Sequence, residues 1–217
     1  MKPQKEHGGS HRNIRGRKEL ALALAVSLWI ANGGVASAQE TTVASNYTGD
    51  VYGNHTGDDL SNNSGNPNNN TVTVNEGVTA SGDVYGSLGT DNAAAERNKV
   101  IINGTVTGFV YGGQSGKYKN ANSNMVTING EVKASVYGGT GTEHYSPKWN
   151  MVTIKGTAWE DVYGGVGEEG AEGNSVTVIN RTVKKDVYGG KINYDADAVS
   201  NQVTLSGATV EGNVYGG

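Results

Sequence analysis

The chain has no cysteine and a single phenylalanine among its 217 residues. Without cysteine there is no disulfide framework and no thiolate metal site. The shortage of large apolar side chains argues against an ordinary globular core. The aliphatics that remain suit a thin core of repeated layers. Histidine occurs four times, at His7, His11, His55 and His144. The first two fall near the N-terminus. His55 and His144 stand alone in polar stretches, so both are read as solvated loop residues, with no triad and no histidine metal site. The glycine-rich stretches GGQSG, GGTGTE and GGVGEEG lack the Gly-Lys-Ser/Thr of a phosphate loop. The nine-residue calcium repeat of exported solenoids is absent too. The acidic stretch EEGAE (168–172) is expected to be a solvated loop. No catalytic residue, cofactor or metal is assigned.

The N-terminus carries Lys2, Lys5, Arg12, Arg15, Arg17 and Lys18, then the apolar run LALALAVSLWIA at 20–31. Ala36-Ser37-Ala38 follows as an A-x-A site before Gln39. These are the three parts of a secretory signal peptide, with cleavage expected between Ala38 and Gln39. The apolar run is shorter than the roughly 20 residues of a spanning helix, so no membrane span is expected in this chain. Removing the leader takes six of 17 basic and two of 21 acidic residues and leaves a net charge of −8. An acidic chain without a basic cluster argues against nucleic acid as a partner.

What the sequence has in quantity is glycine, at 34 residues, and repetition. VYG occurs seven times, its valine at 51, 84, 110, 136, 162, 187 and 214, in steps of 33, 26, 26, 26, 25 and 27. A steady period in this range marks a solenoid, propeller or array. A second phrase precedes each VYG from Asn70 onward, as in NKVII at 98, NMVTI at 124 and 150, and NSVTV at 174. Alternation along a strand puts Asn124, Val126 and Ile128 on one face and Met125 and Thr127 on the other. Turns carrying Gly104, Gly130, Gly156 or Gly207 follow. A second strand then places Val106 with Val110, and Val132 with Val136, on a shared face. Glu160 and Lys185 between such valines call for a bend, since neither charge tolerates unpaired burial. The glycine pair after each tyrosine is expected to turn the chain. Polar stretches between the phrases vary in length and charge, as loops on a repeated scaffold do.

Two short strands, a turn and a loop in about 26 residues suit one coil of a parallel β-helix or β-solenoid, stacked at about 4.8 Å. The expected fold is therefore all-β, preceded by a cleavable signal helix. A propeller blade needs more chain than this, whereas a stack of antiparallel hairpins stays open as an alternative. The predicted core ladders are Asn70, Asn98, Asn124, Asn150, Asn174 and Asn201; Val100, Val126, Val152, Val176 and Val203; and Val110, Val136, Val162, Val187 and Val214. Buried asparagines stacked in this way satisfy one another from coil to coil. Four buried aliphatics contribute roughly 6–12 kcal/mol per coil, less than the entropy of ordering it, so coils must stack to fold. Tyr85, Tyr111, Tyr137, Tyr163, Tyr188 and Tyr215 form an aromatic stripe, either structural or a candidate contact surface for sugar rings or a protein. The chain divides into a signal peptide (1–38), an N-terminal cap with an Asn-rich loop (39–69), and a solenoid of about six repeats (70–217). It stops on the last letter of a VYGG, so truncation at the C-terminus is expected.

The recurring N-x-V-T-I-x-G followed by V-Y-G-G, behind a signal peptide and without cysteine, resembles the passenger region of bacterial autotransporter (type V secretion) adhesins. The resemblance covers Asn70 to Gly217 and, less clearly, 39–69. It implies a β-helical passenger exported to the surface or outer membrane of a Gram-negative bacterium, or secreted from it. Adhesion, autoaggregation or biofilm formation is the implied role, and a translocator barrel or more passenger is expected downstream. Partners are then surface glycans, proteins or further copies of the chain. Two other readings stay open. One is a polysaccharide-acting β-helix enzyme using Asp161 and Asp186, which stacking would bring about 5 Å apart. The other is a scaffold with no recognition role.

Overall fold

The structure, a computed structural model, describes residues 38–217 apart from Asp91 and Thr142. The predicted signal helix lies outside the described residues. The described chain is all-β, a parallel β-solenoid with coils of about 26 residues.

Each coil after the first supplies one strand to each of three walls, and the first supplies strands to walls 1 and 3. Wall 1 has seven strands, running from Glu40–Val43 through Met125–Ile128 to Gln202–Ser206. Wall 2 has six strands of two residues, from Thr79–Ala80 to Thr209–Val210. Wall 3 has seven and carries the VYG phrases, from Val51–Tyr52 to Val214–Tyr215. Every pairing is parallel and joins each coil to the next, so Val126 lies beside Val100 and Val152, and Ile128 beside Ile102 and Ile154. Val and Ile suit such strands because branched side chains pack well across a pleated surface. Their period-two alternation buries one set and exposes the other.

The second expected strand is two strands. Val132 and Val136 belong to walls 2 and 3, with residues 133–135 bending between them. Both valines face the interior, but across a corner rather than on one face. The bend lets Lys185 reach solvent beside Glu160.

The glycine pairs do not turn the chain. Gly112 and Gly113 lie inside the strand Val110–Gln114. A Cβ on Gly113 would stand 2.7 Å from the Ala95 carbonyl oxygen and 2.8 Å from Asn124 Nδ2. Close approach to the asparagine ladder, and not backbone freedom, is what demands glycine here. The true turning point lies elsewhere. Asn69, Arg97, Ser123, Trp149, Gly173 and Ser200 all have φ between 56° and 63°, and each immediately precedes a ladder asparagine. Five of these six are not glycine, and a left-handed residue with a Cβ costs about 1–2 kcal/mol. The stacked coils on either side impose the conformation.

The 39–69 segment is more than a cap. Glu40–Val43 pairs with Thr71–Val74, and Val51–Tyr52 pairs with Val84–Tyr85, so this segment forms the first rung of walls 1 and 3. Leu60 and His55 are buried there.

Candidate contact surface

The asparagine ladder is a continuous hydrogen-bond chain. Asn98 donates both its backbone N–H and its Nδ2 to Asn124 Oδ1, each at 3.0 Å. Asn124 donates to Asn150 Oδ1 at 2.9 and 3.0 Å, and Asn150 to Asn174 Oδ1 at 3.0 and 2.9 Å. The remaining Nδ2 proton holds the end of a loop. Asn124 reaches the Ala95 carbonyl, Asn150 that of Ala121, and Asn174 that of Pro147. Each of these carbonyls belongs to the residue three before the previous ladder asparagine. Asn70, Asn98, Asn124, Asn150 and Asn174 are buried, and Asn201 in the last rung is half-buried. Among the described residues no buried side-chain polar atom lacks a partner. The predicted valines are buried too, except in the last rung, where Val203 is half-buried and Val214 is 45% exposed because no coil covers them.

The tyrosine stripe is a stack of seven rings, since Tyr52 joins the six named from sequence. Neighbouring centroids lie 4.7–5.0 Å apart with interplanar angles of 7–16°. Each inner ring spends both faces on its neighbours. Beside the row, the Lys191 ammonium lies 5.0 Å from the Tyr188 centroid and Phe109 packs tilted against Tyr111 and Tyr137. Stacking on a sugar face is therefore closed to the inner rings. Burial drives the Tyr85, Tyr111 and Tyr163 phenols well above their ordinary range. Tyr188 is pushed up to about 12 by desolvation and by its bond to Asp186.

The aspartates that precede VYG join coils together. Asp161 accepts from the Tyr163 hydroxyl at 2.8 Å and from the Asp186 backbone N–H at 2.9 Å. Asp186 repeats the pattern with Tyr188 at 3.0 Å and the Asn213 N–H at 2.7 Å. The Asn213 N–H, with the Tyr188 hydroxyl, holds the Asp186 carboxyl below the usual carboxylate range. A glycosidase acid needs a raised value and a free proton. Both oxygens of each carboxylate are taken up by the fold.

The four loops between walls 3 and 1 from residue 115 onward carry the variation, and all leave the rod at one corner. Tyr118 stacks on His144 with centroids 5.4 Å apart, and His144 Nδ1 lies 2.6 Å from a Glu169 oxygen. That bond raises the His144 pKa. Beside them opens a cleft of about 570 Å³ lined by Glu143, His144, Glu168, Glu169, Tyr194, Asp195 and Ala196. Tyr118 and Tyr194 are 60% and 71% exposed. The EEGAE stretch is engaged rather than merely solvated, because Glu172 pairs with Lys148 at 2.6 Å. Among the described residues no group of acidic and histidine side chains could hold a metal ion, and no helix is long and apolar enough to cross a membrane.

His55 departs from the sequence reading. It is 1% exposed, with Nδ1 3.0 Å from the Gly57 carbonyl oxygen and Nε2 3.0 Å from Thr41 Oγ1 and 2.9 Å from Gln39 Nε2. Desolvation pushes its pKa down, opposed by the Gly57 carbonyl and by Asp59 and Asp58. Its polar neighbours in sequence hid this, for burial comes from the first rung closing over it.

No protein-family model matches the chain, and neither a curated protein nor a solved structure matches it significantly.

Proposed function

We propose that the chain is the exported β-solenoid of a bacterial surface adhesin, a rod that presents variable loops along one corner. The observation that carries this reading is the separation of duties around the coil. The walls repeat in register, while the segments that differ in length between coils all leave at the loop corner, where Tyr118, His144, Glu168, Glu169 and Tyr194 come together. The leader sequence, and the absence of cysteine in a chain that must cross membranes unfolded, support export through a Gram-negative envelope. Contact then runs through Tyr118, His144, Glu168, Glu169 and Tyr194, with a surface glycan, a protein or another copy as partner. The tyrosine stripe serves the rod itself.

The test replaces these five side chains with serine and measures attachment of cells displaying the chain, alongside circular dichroism of the purified protein. The reading expects attachment to fall with the β-sheet signal unchanged. Attachment that survives would remove the loop corner from the role and favour a scaffold without recognition.

A further inference from the structure

Gln39 holds a special place at the start of the solenoid. Glu40 pairs with Thr71, so Gln39 stands beside Asn70, in the ladder position of the first rung. Its backbone N–H points to Asn70 Oδ1 at 3.3 Å, and its carbonyl oxygen accepts the Thr71 N–H at 2.7 Å. Its side-chain nitrogen lies 2.9 Å from His55 Nε2. The Gly57 oxygen only accepts, so His55 Nδ1 carries the ring proton and Nε2 presents its lone pair to the glutamine amide and the Thr41 hydroxyl.

We infer that Gln39, once freed as the N-terminus, cyclises to pyroglutamate within this rung, with His55 as proton carrier. The inference rests on the proposed cleavage between Ala38 and Gln39. In the reaction the neutral α-amine attacks Cδ of its own side chain and a new C–N bond closes a five-membered ring. His55 Nε2 takes the proton shed by the attacking nitrogen and returns it to the departing amide nitrogen. The Cδ–Nε2 bond breaks and ammonia leaves. Atoms and charge balance without oxidant, metal or further reactant.

The surroundings favour the product. A free α-ammonium would sit on a half-buried residue whose side chain is bonded to a buried imidazole, with Asp58 and Asp59 as the carboxylates that act on that ring. Burying that charge is costly. The lactam is neutral and keeps one N–H, so Asn70 Oδ1 retains its donor and the ladder stays closed at this end. Glutamine is the residue the chemistry requires. The asparagines of the later rungs lie within the chain, where their nitrogen is an amide and no longer a nucleophile.

The experiment expresses the full chain with its own leader in a Gram-negative host and determines the N-terminal peptide of the exported protein by mass spectrometry. A first residue of Gln39 lighter by one ammonia is the expected result. Gln39 with a free amine overturns the cyclisation and leaves the cleavage reading standing. Any other first residue overturns both. Because N-terminal glutamine also cyclises unaided, the rate decides the role of His55. Cyclisation in the folded chain should exceed that in the urea-unfolded chain, and His55→Gln should slow it about a hundredfold, the low end for positioned acid–base catalysis. Equal rates folded and unfolded, or an unchanged rate in a His55→Gln chain that keeps its fold, overturn that role.

Discussion

The corners of the coil are built in opposite ways. Between walls 1 and 2 the chain turns in two residues, 129–130, and between walls 2 and 3 in three, 133–135. Between walls 3 and 1 it takes ten, from 141 to 150. Gly130 and Gly156 in the two-residue corner stand against the carbonyls of the coil before, and the three-residue corner changes side chains, from Lys133-Ala134-Ser135 to Trp159-Glu160-Asp161, but keeps its length. The long corner is free at its tip and fixed at its root. There the left-handed residue and the ladder asparagine return the chain to wall 1, and the asparagine amide grips the loop's last carbonyls. The contrast teaches that a solenoid tolerates variation in length where a loop can leave the stack, provided that its return point is clamped.

The most damaging way to break the contrast is to remove the clamp. Asn124→Ala strips the acceptor from both Asn98 donors and the donor from the Ala95 carbonyl. At about 1–3 kcal/mol for each orphaned buried group, offset by local relaxation, urea unfolding should show a loss of about 3–4 kcal/mol. Gly139→Ala attacks the same point from wall 3. Its Cβ would meet Asn150 Nδ2 and the Ala121 oxygen at 2.5 Å, and a loss of about 2–3 kcal/mol is expected in the same measurement. Tyr137→Leu interrupts the ring stack at two contacts and should cost about 2 kcal/mol.

Alkali tests the same stack without a substitution. The Tyr188 phenol is raised from 10 to about 12 in the folded chain. Its contribution is therefore complete below pH 10 and lost as the pH climbs through 12. Tyrosinate absorbance should lag behind that of free tyrosine and then rise together with loss of the β-sheet signal. A titration matching free tyrosine at every pH would show that the rings are not stacked. The smallest effect has the opposite sign. Ser123→Gly relieves a left-handed residue and should stabilise the chain by about 0.5–1 kcal/mol, the strain removed less the entropy that glycine adds to the unfolded state.

The period of VYG made the solenoid legible, and alternation around Asn124, Val126 and Ile128 made wall 1 legible. Wall 2 was hidden because two-residue strands are too short to show a period, so Val132 and Val136 read as one strand. The left-handed residue was hidden because stacking imposes it on Arg97 and Trp149 as readily as on a glycine; Gly173 alone hinted at it. The loop roots carry a signal of their own in the sequence. Pro67, Ala95, Ala121, Pro147, Ala171 and Ala198 are all small or cyclic, and each stands three residues before a ladder asparagine. The loop corner gave no pattern in sequence because Tyr118, His144, Glu169 and Tyr194 meet only when coils stack.

Native-state hydrogen exchange on the unaltered chain tests the central contrast most directly. The backbone amides of Asn98, Asn124 and Asn150, each bound to the side chain of the next coil, should exchange only through global unfolding. Those of Tyr118 and His144, at the loop tips, should exchange through local opening far sooner. Ladder amides that exchange as fast as the loop tips would contradict the clamp.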